Sequence, residues 1–268
     1  MLISLFLGVL VGAVLGLTGA GGGILAVPAL VVGLGWTMQE AAPVALIAVA
    51  AGAALGAVEG FRRKLVRYRA AILMALAGLP VTSLGLLAAK AMPQAVLLAL
   101  FAGVMLLVAV RLGRQALRGA QDHADSESTI GRVHDDTGRF VWNWGTAALI
   151  AGIGALTGFM TGLLGVGGGF VIVPLLRRFT SLTMPGIVAT SLMVIALVGA
   201  GGVLTAVAHG AVLPPAITLS FAAATAVGMV IGRLASRRLS GRQVQIGFAV
   251  VLAFVAVGLL GKAAMSFG

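Results

Sequence analysis

The sequence holds no cysteine, which rules out a disulfide frame, a thiolate nucleophile, an iron–sulfur cluster and a zinc–thiolate site. Charge is scarce as well: 9% of residues, against about a quarter in ordinary soluble domains. Acidic groups are scarcer still. Of the seven Asp and Glu, five (Asp122, Asp125, Glu127, Asp135 and Asp136) crowd into one polar tract. Only Glu40 and Glu59 lie elsewhere, both at the ends of apolar runs. No run therefore carries the central carboxylate that sodium- or proton-coupled cation carriers usually bury. There is no P-loop for ATP, and no Ser–His or paired-Asp arrangement within the apolar segments, so an intramembrane hydrolase is not expected. No cofactor or resident metal is expected either; His123 and His134 beside the Asp residues show no recurring ligand spacing.

What fills the chain instead is apolar. Hydrophobic residues make up 60% of 268 and the mean hydropathy is +1.14. A water-soluble core cannot absorb that much oily surface, and the runs are far too long for alternating barrel strands. The expected fold class is all-α integral membrane. The first segment has no basic leader and its glycine-rich texture does not end at a small-residue cleavage site, so it does not read as a signal peptide.

Eight hydrophobic elements are predicted, over approximately 2–35, 39–60, 70–90, 93–112, 143–177, 184–207, 212–235 and 243–264. Six are close to the ~20 residues of one spanning helix. The first and fifth are too long for one straight span, and each carries three consecutive glycines. Between elements four and five, "RQALRGAQDHADSESTIGRVHDDTGRF" reads as a solvated linker. The chain divides accordingly into a first repeat at 1–112, a polar linker at 113–142 and a second repeat at 143–268.

The halves align at an offset of 146 residues. "GVLVGAVLGLTGAGGGILAVPAL" (Gly8–Leu30) overlies "GALTGFMTGLLGVGGGFVIVPLL" (Gly154–Leu176) with 12 of 23 positions identical, Pro28 and Pro174 among them. The chain is an internal duplication. If all eight elements crossed the bilayer once with the N-terminus inside, cytoplasmic loops would hold 11 Lys and Arg against 7 outside. If elements one and five instead enter and leave on the same side, 16 fall inside and only Lys90 and Lys262 outside. Basic residues collect on the cytoplasmic side, which favours the second arrangement. It leaves three full spans per half, which inverts one repeat relative to the other, and places the linker in the cytoplasm and both termini outside. The net charge of +11 belongs to these loops; no basic face with interleaved aromatics is present, so no nucleic-acid partner is expected.

A helix broken inside a bilayer must have its freed backbone groups satisfied by protein or a water-filled cavity. Gly19, Gly21, Gly22 and Gly23, with Gly165, Gly167, Gly168 and Gly169, permit such breaks, supported by Pro28 and Pro174. A half-helix resuming after each break would aim its N–H groups and about half a positive charge at the membrane interior. Two such ends face to face would hold an anion. The four-residue spacing of Gly8, Gly12 and Gly16, of Gly154, Gly158 and Gly162, and of Gly52, Gly56 and Gly60 is explained by close helix packing; three glycines in a row are not. Thr18, Thr161, Thr190 and Ser191 are candidate donors to the anion, unless each hydroxyl bonds its own i−4 carbonyl. Glu59 is expected to pair with Arg62 or Arg63, and Glu59 and His209 are the candidate proton relays.

The paired "GAGGGILAVP" and "GVGGGFVIVP", the "ATSL" at Ala189–Leu192 and the "HGAVLPPA" turn at His209–Ala216 resemble the sulfite exporter TauE/SafE family, also called TSUP permeases, over essentially the whole chain. The first half carries "PVAL" in place of "ATSL" and no His at its "RRKLVRYRA" turn. The resemblance implies a multi-pass carrier of the plasma (inner) membrane for small sulfur-containing anions: sulfite, thiosulfate, sulfoacetate or related organosulfonates. Export by alternating access is the expectation. The alternatives are a small-ion channel, a transporter of an unrelated small solute, or a non-transporting scaffold. The partners are then the anion and the lipid bilayer, with a homodimer left open.

Overall fold

A computed structural model describes residues 2–118, 131, 140–236 and 238–267. Among the described residues ten α-helices follow one another: α1 (Leu2–Thr18), α2 (Ala26–Gly33), α3 (Met38–Arg62), α4 (Tyr68–Ala91), α5 (Gln94–Arg118), α6 (Trp144–Leu164), α7 (Gly169–Phe179), α8 (Met184–Ala208), α9 (Pro215–Ser236) and α10 (Gly241–Phe267). A short 3-10 helix, Gly22–Leu25, leads into α2. Seven helices among the described residues, α3 to α6 and α8 to α10, are long and apolar enough to cross a membrane. No named strand occurs among the described residues.

Local signals set the boundaries. Thr37 starts α3 with a reciprocal capping box, its hydroxyl accepting from Glu40 N–H while the Glu40 carboxylate accepts from Thr37 N–H. Asn143 caps α6 by accepting from Thr146 N–H at 2.7 Å. Removing the Thr37 cap (Thr37→Ala) should cost about 1 kcal/mol, read as a drop of roughly 2–4 °C in thermal midpoint. Helix α5 runs to Arg118, six residues into the tract assigned to the linker at 113. Gly113 has open space around it, and Leu112 and the buried Ala116 continue the apolar face, so nothing stops the helix there. Linker residue Gly131 is pinned to the end of α7: its N–H donates to Phe179 O at 3.2 Å, and Ser181 N–H donates to Gly131 O at 3.3 Å. The five acidic residues of the linker and its two histidines lie outside the described residues.

The long first and fifth elements are each two helices. In the first the chain turns back. Gly22 lies against the backbone of Leu15, and Gly33 against the Leu7 side chain, so α2 returns alongside α1. Lys262 of α10 secures the returning limb, donating from Nζ to Val31 O at 2.7 Å. Beyond the aligned glycine segments, the offset of 146 persists through the helices: α3 and α8 cover 38–62 and 184–208.

Packing crosses between the halves. Helix α1 lies along α9 and α6 along α4, while α3 crosses α8 and α5 pairs with α10. Exchanging the halves leaves this scheme unchanged. The glycine stripes make the two outer pairs close. Gly12 and Gly16 sit on the backbone of Thr225, Met229 and Arg233; Gly158 and Gly162 sit on the backbone of Gly78 and Thr82. The third stripe behaves differently, since Gly52, Gly56 and Gly60 meet mainly side chains.

Candidate functional site

The two breaks meet at the centre of the molecule. Helix α1 ends at Thr18 and α6 at Leu164. Gly19 and Gly165 then turn with φ of 75° and 72°, a left-handed conformation that a side chain with a Cβ adopts only at a cost of about 1–2 kcal/mol. They face equivalent positions on the opposite half: Gly19 packs on Val188 and Gly165 on Ala42. Gly169 touches the Ala20 carbonyl, joining one break to the other. Val49 and Ile195, each about 1% exposed at mid-helix in α3 and α8, close over this junction. A Cβ on Gly23 would stand 2.8 Å from Val49, and one on Gly167 would stand 2.9 Å from Ile195. The breaks differ in detail. Gly167 and Gly168 both take positive φ (57° and 63°), whereas no glycine of Gly21–Gly23 does.

Most of the predicted hydroxyls are already engaged. Thr18 Oγ1 donates to Val14 O and Thr161 Oγ1 to Thr157 O, each at 2.8 Å. These are the i−4 bonds that compete with ligand binding. Thr190 Oγ1 accepts from Arg67 N–H at 3.0 Å, tying α8 to the start of α4. Ser191 is fully buried and its hydroxyl has no hydrogen-bond partner among the described residues; Thr157, beneath Gly168, shares that condition. Pro28 is buried in α2 and Pro174 lies inside α7.

The open space lies to one side of the junction. A cavity of about 400 Å³ occupies the end of the molecule where α3 begins and α4 and α8 finish. Its polar lining comes from Thr37, Gln39, Glu40, Thr82, Lys90 and His209, and its deep end reaches Gly162, Gly165 and Gly202. Of the twelve residues assigned to the anion from sequence, only Gly165 lines it. The rim is cross-braced: Lys90 Nζ donates to His209 O at 2.8 Å, and Gln39 Nε2 to Ala89 O at 3.2 Å. His209 ends α8, its Nδ1 lying 2.8 Å from Thr205 O.

Glu59 belongs to the opposite end. It pairs with Arg63 at 2.7 Å, one of the two partners expected, and with Arg233 of α9 at 3.0 Å, which sequence proximity could not reveal. The cavity residues were missed for a similar reason. Polar side chains at helix ends look interfacial until tertiary packing brings three ends together. No group of three or more His, Asp and Glu able to hold a metal is present among the described residues.

Comparison with known proteins supplies the family. The model of the family described as "Sulfite exporter TauE/SafE" matches residues 4–259. Two proteins of Xylella fastidiosa, each named "Probable membrane transporter protein", are 28% identical. That of strain 9a5c aligns over 260 residues, covering 97% of this chain and 94% of the relative; that of strain Temecula1 aligns over 262, with the same coverage. No solved structure matches the chain. Nearly every helix described above falls within the matched span, and the chain belongs to the sulfite exporter TauE/SafE family of membrane transporters.

Proposed function

We propose that this chain is a secondary carrier that exports a small sulfur-containing anion, such as sulfite, thiosulfate or an organosulfonate, by alternating access. The observation that carries the reading is a cavity lined by the ends of α3, α4 and α8 at one end of the helix bundle and by Gly165, at the second break. An exchange-symmetric helix scheme supports two inverted repeats with re-entrant first elements, the architecture of many secondary carriers. On the charge count, 16 basic residues and the linker face the cytoplasm of a plasma (inner) membrane, and the cavity opens outward.

The anion's partners are proposed to be the freed N–H groups around the breaks. The first turn of α7 presents Gly169 and its neighbours with no intrahelical acceptor and with the positive end of the helix dipole. Gly19, Gly21–Gly23, Gly165, Gly167 and Gly168, with Thr18, Thr190 and Ser191, would join them as the junction parts during the cycle. The unpaired Ser191 hydroxyl is the strongest side-chain donor. The substrate class follows the family's description, and a positive dipole without buried carboxylates suits it. His209 at the cavity rim and Glu59 at the other end are the proposed proton carriers.

Flux in proteoliposomes tests this. Labelled sulfite, thiosulfate and sulfoacetate are offered beside chloride, sodium and alanine, with Gly168→Leu as control. Saturable flux of one sulfur anion, lost in the variant while the protein remains monodisperse, is expected. Flux of the cation or amino acid alone would refute the anion site.

A further inference from the structure

The duplication allows each end of the carrier to be compared with the other, residue by residue. Gly202 lines the cavity, and an added Cβ would make ordinary to slightly tight contacts, 3.3 Å from Leu46, 3.5 Å from Thr82 and 3.7 Å from Thr161. Its repeat counterpart Gly56 is more crowded, with Leu192 and Met229 both at 2.7 Å and an Arg233 nitrogen at 3.3 Å. Ala206 lines the cavity, whereas a Cβ added at its counterpart Gly60 would stand 2.8 Å from Ala189 and 3.1 Å from Val66. One end of the α3–α8 crossing borders the cavity, whereas the other is filled by side chains.

The residues that differ between the ends include an ion pair. Glu59 and Arg233 join α3 to α9 at the shut end, with side chains about one-third exposed. At the offset of 146 the open end has Thr205 in place of Glu59 and Leu87 in place of Arg233. Thr205 bonds within its own helix, Oγ1 donating to Gly201 O at 2.8 Å, and Leu87 is 49% exposed. Among the described residues no ion pair links α8 to α4 there; Lys90 of α4 donates instead to the backbone carbonyl of His209, at the end of α8. Arg63 also binds the Glu59 carboxylate, at 2.7 Å.

We propose that the Glu59–Arg233 pair is the latch that holds the cytoplasmic end closed, and that its release lets the α3–α8 crossing close the cavity and open the opposite end. The inference rests on the alternating-access reading. An ion pair at one end, set against a single hydrogen bond from Lys90 to a backbone carbonyl at the other, biases a near-symmetric two-state element toward closing the ion-paired end, so the ion pair sets the outward-open resting state.

The chain's lack of cysteine makes the test direct. Single thiols at Ala189, in the shut end, and at Ala42, on the cavity wall, report each opening through their rate of reaction with a small charged methanethiosulfonate. The protein is held in nanodiscs so that both faces are reachable. In Glu59→Thr and Arg233→Leu, which install the open end's own residues, reaction at position 189 should rise and that at 42 fall, each by roughly tenfold. Charge reversal, Glu59→Arg with Arg233→Glu, should return both rates toward those of the parent. Unchanged rates overturn the latch. A rise at 189 without a fall at 42 is local fraying and overturns it too, and two independent single variants guard against one that misfolds. Labelling is read without substrate, so a chain that moves no sulfur anion leaves this result standing and fails in the flux assay alone.

Discussion

Gly158→Ile should yield little or no folded protein, whereas Gly103→Ile should be nearly silent. A Cβ at Gly158 enters the backbone of Gly78 on α4, at its carbonyl oxygen, carbonyl carbon and Cα. Backbone at a helix crossing cannot rotate away as a side chain can. The α4–α6 pair would have to separate along a contact that continues through Gly154 on Met74 and Gly162 on Thr82. Overpacking an ordinary core costs about 1–3 kcal/mol; forcing two helix backbones apart should exceed that range. Gly103 is exposed and has nothing within 4 Å of its added Cβ. Detergent-extracted yield and thermal midpoint, measured side by side, decide the matter. Equal behaviour of the two variants would mean that α4 and α6 do not touch through these glycines.

Gly202→Phe should do the reverse: a stable protein with flux reduced to the background of empty liposomes. The added ring starts from a Cβ in ordinary to slightly tight contact, 3.3 Å from Leu46 and 3.5 Å from Thr82, and grows into the roughly 400 Å³ cavity. Gly202→Ala leaves most of that volume and should retain flux. Gly56→Phe places the same ring at the shut end against Leu192 and Met229, so its effect should fall on stability. A Gly202→Phe protein that keeps its thermal midpoint and still transports would remove the cavity from the pathway.

How far the sequence carries is visible in the glycines. Hydropathy alone marks eight elements, since twenty apolar residues in lipid have one economical conformation. The ends of α1 and α6 fall beside the glycine triplets, where backbone chemistry is local. Partner choice is not local. Gly8, Gly12 and Gly16 share their spacing with Gly52, Gly56 and Gly60, yet the first stripe meets the α9 backbone and the second meets chiefly side chains. A stripe of small residues states that something comes close, without naming what. The tie between Glu59 and Arg233, 174 positions apart, was hidden for the same reason. The sign that could have exposed it is an absence in the repeat: Thr205 and Leu87 where a charge pair would sit. At the site, backbone conformation was partly legible at Gly19 and Gly165. The cavity walls, assembled from the ends of α3, α4 and α8, were not.

The exchange of partners between the halves also governs how the chain is made. Helix α1 leaves the ribosome before the helix its glycine face packs against, α9, which ends at Ser236. More than 200 residues must be synthesised after α1 before the Gly8–Gly12–Gly16 face meets that partner. Until then the first hairpin must wait with that face against lipid or an insertion chaperone. The α4–α6 pair, complete by Leu164, can dock much sooner. The α4–α6 contact can therefore form before the α1–α9 contact, and a ribosome stalled before α9 leaves a membrane intermediate in which α1 has α2 beside it but lacks the partner of its glycine face.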